Sequence, residues 1–178
     1  MKKIFFLILT MMVCTISYSQ DLWNGAKYGM SKFELSALFT DSTIPTSEET
    51  EKFGKDIILV IRDYEIAEDN YNVLFYSKDD MLYSIIIRPS NYKLDVRNIN
   101  IIYDKLQYLL RKKYGEEISI NESIKPNYAI SQHFWHQGPI KIELFRTYFI
   151  SGIKGYADLA ELSIKYQLFL NLEDSDKL

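Results

Sequence analysis

Along residues 96–115 the apolar positions Ile99, Ile102, Leu106, Leu109 and Leu110 recur every three or four residues, with Asn100, Asp104, Gln107, Arg111 and Lys112 between them. That spacing gathers the first set on one face of an amphipathic helix. Lys112 and Lys113 lie in its last turn, where the helix dipole favours cations, and Gly115 readily takes the left-handed conformation that ends a helix. A shorter helix is expected at 30–39. Ser31 and Glu34 have the spacing of a capping box, Met30 and Leu35 that of a hydrophobic staple, and Leu35, Leu38 and Phe39 would face inward.

Elsewhere the chain carries strand signals, rich in aromatic and β-branched residues, at 57–66, 71–77, 81–88, 128–136, 140–149 and 159–169. Ser77-Lys78-Asp79-Asp80 and Gln137-Gly138-Pro139 read as hairpin turns, and Pro89 ends the third strand. Residues 40–55 are polar and read as a long surface loop. Their acids lack the alternating positions and central glycine of a calcium loop. The expected fold is α+β, an antiparallel sheet or two abutting sheets with helices on one face, in the order α-β-β-β-α-β-β-β. By layout this is one domain, 20–170, with two possible αβββ halves at 20–90 and 91–170, and 171–178 an acidic tail.

The two halves differ in their patterning. Apolar and polar residues alternate along 140–144 and 162–168, as in a sheet with one wet side. They do not alternate along 57–61 or 85–87, so those strands should be buried on both sides. The segment around Trp23 is the expected cover for the second face, ahead of a partner protein.

The N-terminus has the three-part layout of a signal peptide. Lys2 and Lys3 precede an apolar run at 4–13, and Ser17 and Ser19 are the small residues before a cleavage site after Ser19. Cys14 sits in a context that resembles a lipobox poorly, so a soluble periplasmic or secreted protein is expected ahead of a lipoprotein. Removing 1–19 takes away two lysines and the only cysteine, leaving 19 Lys+Arg against 24 Asp+Glu, a formal net charge of −5. A mildly acidic chain without a basic stripe does not fit nucleic acid. Without a thiol there is no disulfide, cysteine nucleophile or cysteine-based zinc site, and no cofactor is expected. No membrane span is expected after cleavage.

Candidate chemistry is sparse. His133 and His136 are three apart in a strand and so face opposite ways, which keeps them from sharing a metal. Asp63 and Glu65 share a strand face and form the best carboxylate pair, at a place where the strand turns polar and a solvated end explains them equally. No nucleophile elbow, phosphate loop or zinc-binding helix motif is present. The 14 Tyr, 10 Phe and 2 Trp are the compositional excess. A row of exposed rings on a wet sheet could anchor a protein or stack on a glycan, and His133, Trp135 and Phe145 form the candidate binding patch.

At Gly29-Met30-Ser31-Lys32-Phe33-Glu34-Leu35, behind a signal peptide and Trp23, the chain resembles small exported bacterial α+β proteins in which Gly-x-Ser/Thr opens a helix ahead of an antiparallel sheet. These include the outer-membrane assembly lipoproteins of the SmpA/OmlA type and the β-lactamase-inhibitor-like domains. Lys113-Tyr114-Gly115 is similar to a recurrent helix ending in such proteins. The resemblance implies action through protein contacts and covers about a tenth of the chain. It departs from those families in placing three strands between the helices, and it transfers no functional residues. The expected function is a non-enzymatic exported interaction or ligand-binding module. The alternatives are a periplasmic hydrolase with a dispersed carboxylate/His site, and an inhibitor or immunity protein.

Overall fold

Two-residue turns organise most of the strands. Asp79 and Asp80 (φ 52° and 61°) and Ala67 and Glu68 (φ 50° and 73°) place both central residues at positive φ, the mirror-image turn whose twist matches that of the strands it joins. A computed structural model describes residues 21–91, 95–149 and 159–169. The expected signal peptide with Cys14, the expected connection at 151–158 and the expected acidic tail at 171–178 lie outside the described residues.

The chain opens with a ribbon of β1 (Asp21–Trp23) and β2 (Ala26–Lys27), then α1 (Lys32–Leu38) and α2 (Ser47–Phe53). A first meander follows: β3 (Ile57–Ile66), β4 (Asp69–Lys78) and β5 (Met81–Pro89). The long helix α3 (Val96–Tyr114) leads to a second meander of β6 (Ser119–Lys125), β7 (Tyr128–Gln137), β8 (Ile140–Phe149) and β9 (Leu159–Leu168). Both meanders join in one antiparallel sheet, in the order β3-β4-β5-β9-β8-β7-β6. The α+β class and antiparallel pairing are as expected. The order differs, because the ribbon, α2 and β6 are additional elements and the meanders hold three and four strands.

The helix side of the sheet is one continuous core. A cross-strand row runs Leu59, Phe75, Ile85, Tyr166, Ile142, Trp135, pair by pair from β3 to β7, and all six are buried. Over the second meander this face is covered by α3 through Ile99, Tyr103, Leu106 and Leu110. That stripe is rotated from the expected one, leaving Ile102 and Leu109 half-buried. Over the first meander the cover is Leu22, Trp23, Ala26 and Leu35, with Trp23 stacked on Phe39 and edge-on to Tyr64. The Ser31–Glu34 capping box forms as expected. Leu38 is turned outward, and Phe39, four residues after Leu35, packs against the core in the next turn instead.

The other side of the sheet changes character midway. One cross-strand row reads Val60, Leu74, Ile86 in the first meander, then Lys165, Glu143, Phe134 in the second. The apolar half is covered within the chain by α2, whose Phe53 packs on the cluster of Ile57, Val60, Leu74 and Tyr76 and accepts a hydrogen bond at its carbonyl from the Tyr76 hydroxyl, 3.2 Å. Two-sided burial of the first meander is thus intramolecular, as expected, but α2 provides the second cover and the Trp23 segment shares the helix side with α3.

Candidate functional site

The expected patch of His133, Trp135 and Phe145 is not one surface. Gln137 pairs with Ile140 across the Gly138-Pro139 turn, so each β7 residue opposes a β8 residue of opposite parity, His133 against Leu144 and Gln132 against Phe145. Directly opposed residues share a face. His133 and Trp135 therefore point under α3, 3% and 1% exposed, while Phe145 lies on the other side. His136 is on that other side too, against Phe169 at 4.6 Å.

What the structure brings together around Phe145 is a different aromatic set. Phe134 lies beneath Lys141, whose ammonium is 4.2 Å from the ring centre, and Tyr128 stacks on Phe149 at 5.9 Å. Gln132 donates to Glu143 (2.9 Å) between them. These side chains are half-buried or exposed, as in a single-layer sheet, and among the described residues no helix packs on this face. It mixes rings with both signs of charge, the composition of a protein-contact surface.

The histidine–carboxylate chemistry is buried on the opposite side. His133 Nδ1 is 2.8 Å from Glu117 Oε1, and Nε2 is 3.0 Å from Glu122 Oε1. Gln107 Nε2 also lies 2.9 Å from His133 Nδ1. Glu117 also accepts from Gln107 Nε2 at 2.8 Å and from Arg111 Nε at 3.0 and 2.9 Å. Burial opposes its ionisation, but the bonds from Arg111, Gln107 and His133 outweigh that and pull the carboxyl down to about 2. Trp135 Nε1 donates to the Gly115 carbonyl (2.9 Å) just past the end of α3. Beside this group the Arg146 guanidinium, 7% exposed, lies 4.1 Å over the Tyr103 ring and donates to Asn100 and Ser131 at 2.8 and 2.7 Å. The cluster ties α3 to β6, β7 and β8. With His133 sealed and both its nitrogens engaged, its geometry is that of a structural pin.

Two open grooves lie beside the first meander, toward its β3–β4 turn. An open groove of about 830 Å³ runs between the β3–β4 turn, the end of β5 and the start of α3, with Asp63, Glu68, Asn70, Ser90, Asn98 and Lys105 in its wall. A smaller one of about 300 Å³, beside α2, shares Asp63 and Ser90 with it. Asp63 sits at a bulge with φ 53°, a conformation that costs a non-glycine residue about 1 kcal/mol or more. The bulge lies between Ile61 and Tyr64, so Asp63 falls within it while Glu65 pairs regularly with Asn70. Lys105 is paired with Asp69 at 2.8 Å. No group of three or more His, Cys, Asp or Glu residues poised for a metal occurs among the described residues, and no described helix is long and apolar enough to cross a membrane.

The sequence signal for which rings share a face was the Gln137-Gly138-Pro139-Ile140 turn, since a two-residue loop fixes which parities coincide. The groove has no sequence signature, being assembled from three separated segments. No family model, curated protein or solved structure matches the chain.

Proposed function

We propose that this chain is an exported, non-enzymatic interaction module whose working surface is the bare face of the second meander, around Phe134, Phe145, Tyr128 and Phe149. One observation carries the reading: along a single cross-strand row, apolar residues under cover give way at the β5–β9 boundary to Lys165, Glu143 and Phe134, which have no cover among the described residues. A sheet face that keeps half-exposed rings among charges presents contact area at small entropic cost. The burial of His133 and Glu117 supports a binding role over the hydrolase alternative, because a general base must reach its substrate. The signal-peptide layout at 1–19 and the resemblance to exported proteins that act through protein contacts support the location and the type of activity.

A photo-crosslinking residue placed at 145 should yield a discrete crosslinked species in the native cell envelope, and the same residue at 48, on α2, should not. Equal yields at the two positions, or none at 145, would refute the proposal. A second reading, a small polar ligand in the large groove, is favoured by Asp63, whose left-handed backbone holds a carboxylate where the two grooves meet.

A further inference from the structure

We propose that the outer edge of β6 is a strand-addition site that takes an extended peptide carrying a basic residue between two apolar ones. This deepens the reading above and rests on it, by naming how the open meander would engage its partner. β6 pairs with β7 through seven consecutive positions, Ser119 against Phe134 to Lys125 against Tyr128, with no bulge. It is the last strand of the sheet, and among the described residues nothing pairs with its other side. An edge of this kind offers a row of backbone donors and acceptors to an incoming strand.

The opposite edge shows what protection looks like in this molecule. On β3, Thr43 exchanges both backbone hydrogen bonds with Val60 at 2.8 and 2.9 Å, and the strand is broken by two register shifts. β6 has neither device. Its face on the α3 side carries Ile120 and Ile124, 54% and 63% exposed, with Ile118 just before the strand at 59%. Glu122 stands between Ile120 and Ile124, and its carboxylate is held in place by His133 Nε2 while 42% of the side chain stays exposed. The other face presents Ser119, Asn121, Ser123 and Lys125.

Charge decides the occupant. A second copy pairing antiparallel so that Ile120 meets Ile124 places Glu122 directly against its own copy, and like charges directly opposed are destabilising. Recentring on Asn121 sets Glu122 against Ile120, which takes water from a carboxylate without giving it a cation. A strand with lysine or arginine opposite Glu122 and aliphatic residues opposite Ile120 and Ile124 satisfies all three positions.

The probe is a capped synthetic heptapeptide, Thr-Val-Thr-Lys-Thr-Val-Thr, offered to the processed protein beginning at residue 20. Its binding should exceed that of the same peptide with a central glutamate by tenfold or more. It should slow amide exchange in 119–125, and its preference for lysine over glutamate should fall below threefold in Glu122→Gln. A lysine peptide methylated on its threonine backbone nitrogens should lose binding tenfold or more from whichever edge those nitrogens face. Equal binding of the lysine and glutamate peptides, protection elsewhere than 119–125, or concentration-dependent dimers crosslinked through β6 would each overturn the inference. If it fails while position 145 still crosslinks, only the strand-addition site is lost. If both fail, the interaction reading fails with it. Circular dichroism of Glu122→Gln, expected to match that of the parent protein, separates lost recognition from lost folding.

Discussion

The two meanders share a sheet and a core face but solve the problem of their second face in opposite ways. In the first, β3–β5 are apolar on both sides, and the chain spends α2 to cover the far side and Thr43 to close the edge. In the second, β6–β9 are continuously apolar only toward α3, and their far side mixes charged and polar residues with half-exposed rings, so it and the outer edge need no cover for stability. A sheet face with alternating polar residues is stable in water. The difference separates a scaffold from a surface: substitutions in the second meander's open face can change without unfolding the protein, whereas those in the first cannot.

The sharpest way to break this comparison is to truncate neighbours that point opposite ways. Trp135→Ala removes a fully buried indole and its bond to the Gly115 carbonyl, and should cost about 3–5 kcal/mol in denaturant unfolding. Phe134→Ala, one residue away on the open face, should cost about 1 kcal/mol or less. Similar losses for the two would mean that the second meander is covered on both sides like the first.

The same test works along one row of the sheet. Leu74→Ala, sealed beneath α2, should cost about 2–5 kcal/mol, and Lys165→Ala, two strands away in the same row, about 0.5 kcal/mol or less. A small loss at Leu74 would show that α2 does not seat on this face in solution.

The buried pin on the second meander should reveal itself through acid. The Glu117 carboxyl is held at about 2 against an ordinary value of 4.5. A depressed folded value adds stability that is present above the unfolded value and is lost as pH falls through that window. Glu117→Gln should therefore cost about 1–3 kcal/mol at neutral pH, and its melting curves should converge on those of the parent protein between pH 4.5 and 2. Parallel curves over that range would place the acid sensitivity elsewhere.

Much of the fold was legible because local chemistry and tertiary demand agree in these places. The α3 boundaries followed from periodicity and Gly115, and five of the seven main strands from β-branched and aromatic runs ended by turn residues or the 138–139 hairpin. The sixth expected strand, 159–169, also forms. β6 was missed because Ser119, Asn121, Ser123 and Lys125 give it no apolar run, and Glu122 interrupts the face that Ile120 and Ile124 begin. A strand held on one side only needs little hydrophobic signal. Phe145 falls on the opposite face from His133 and Trp135 because strand alternation fixes faces within a strand, while the turn between strands fixes which faces coincide. Tyr103, Gln107 and Arg146 were passed over because a buried polar network has no sequence period. It exists only once α3 is laid on β7 and β8.

The smallest expected effect concerns the cover that distinguishes the first meander. Thr46 and Glu49 form a reciprocal capping box at the start of α2, the same device as Ser31 and Glu34 at α1. Isolated helices of seven residues are not stable in water, so α2 persists through its cap, the Arg62–Glu49 ion pair at 2.6 Å and the packing of Phe53. Thr46→Ala should cost about 0.5–1 kcal/mol, with Ser31→Ala similar at α1. The two should part in where the loss is felt. Thr46→Ala should raise amide exchange at Val60 and Leu74 on the α2 side, and Ser31→Ala should leave those positions unchanged. If exchange on the α2 side is indifferent to Thr46, the covered face of the first meander is stable without its helix, and the contrast between the meanders then rests on side-chain composition alone.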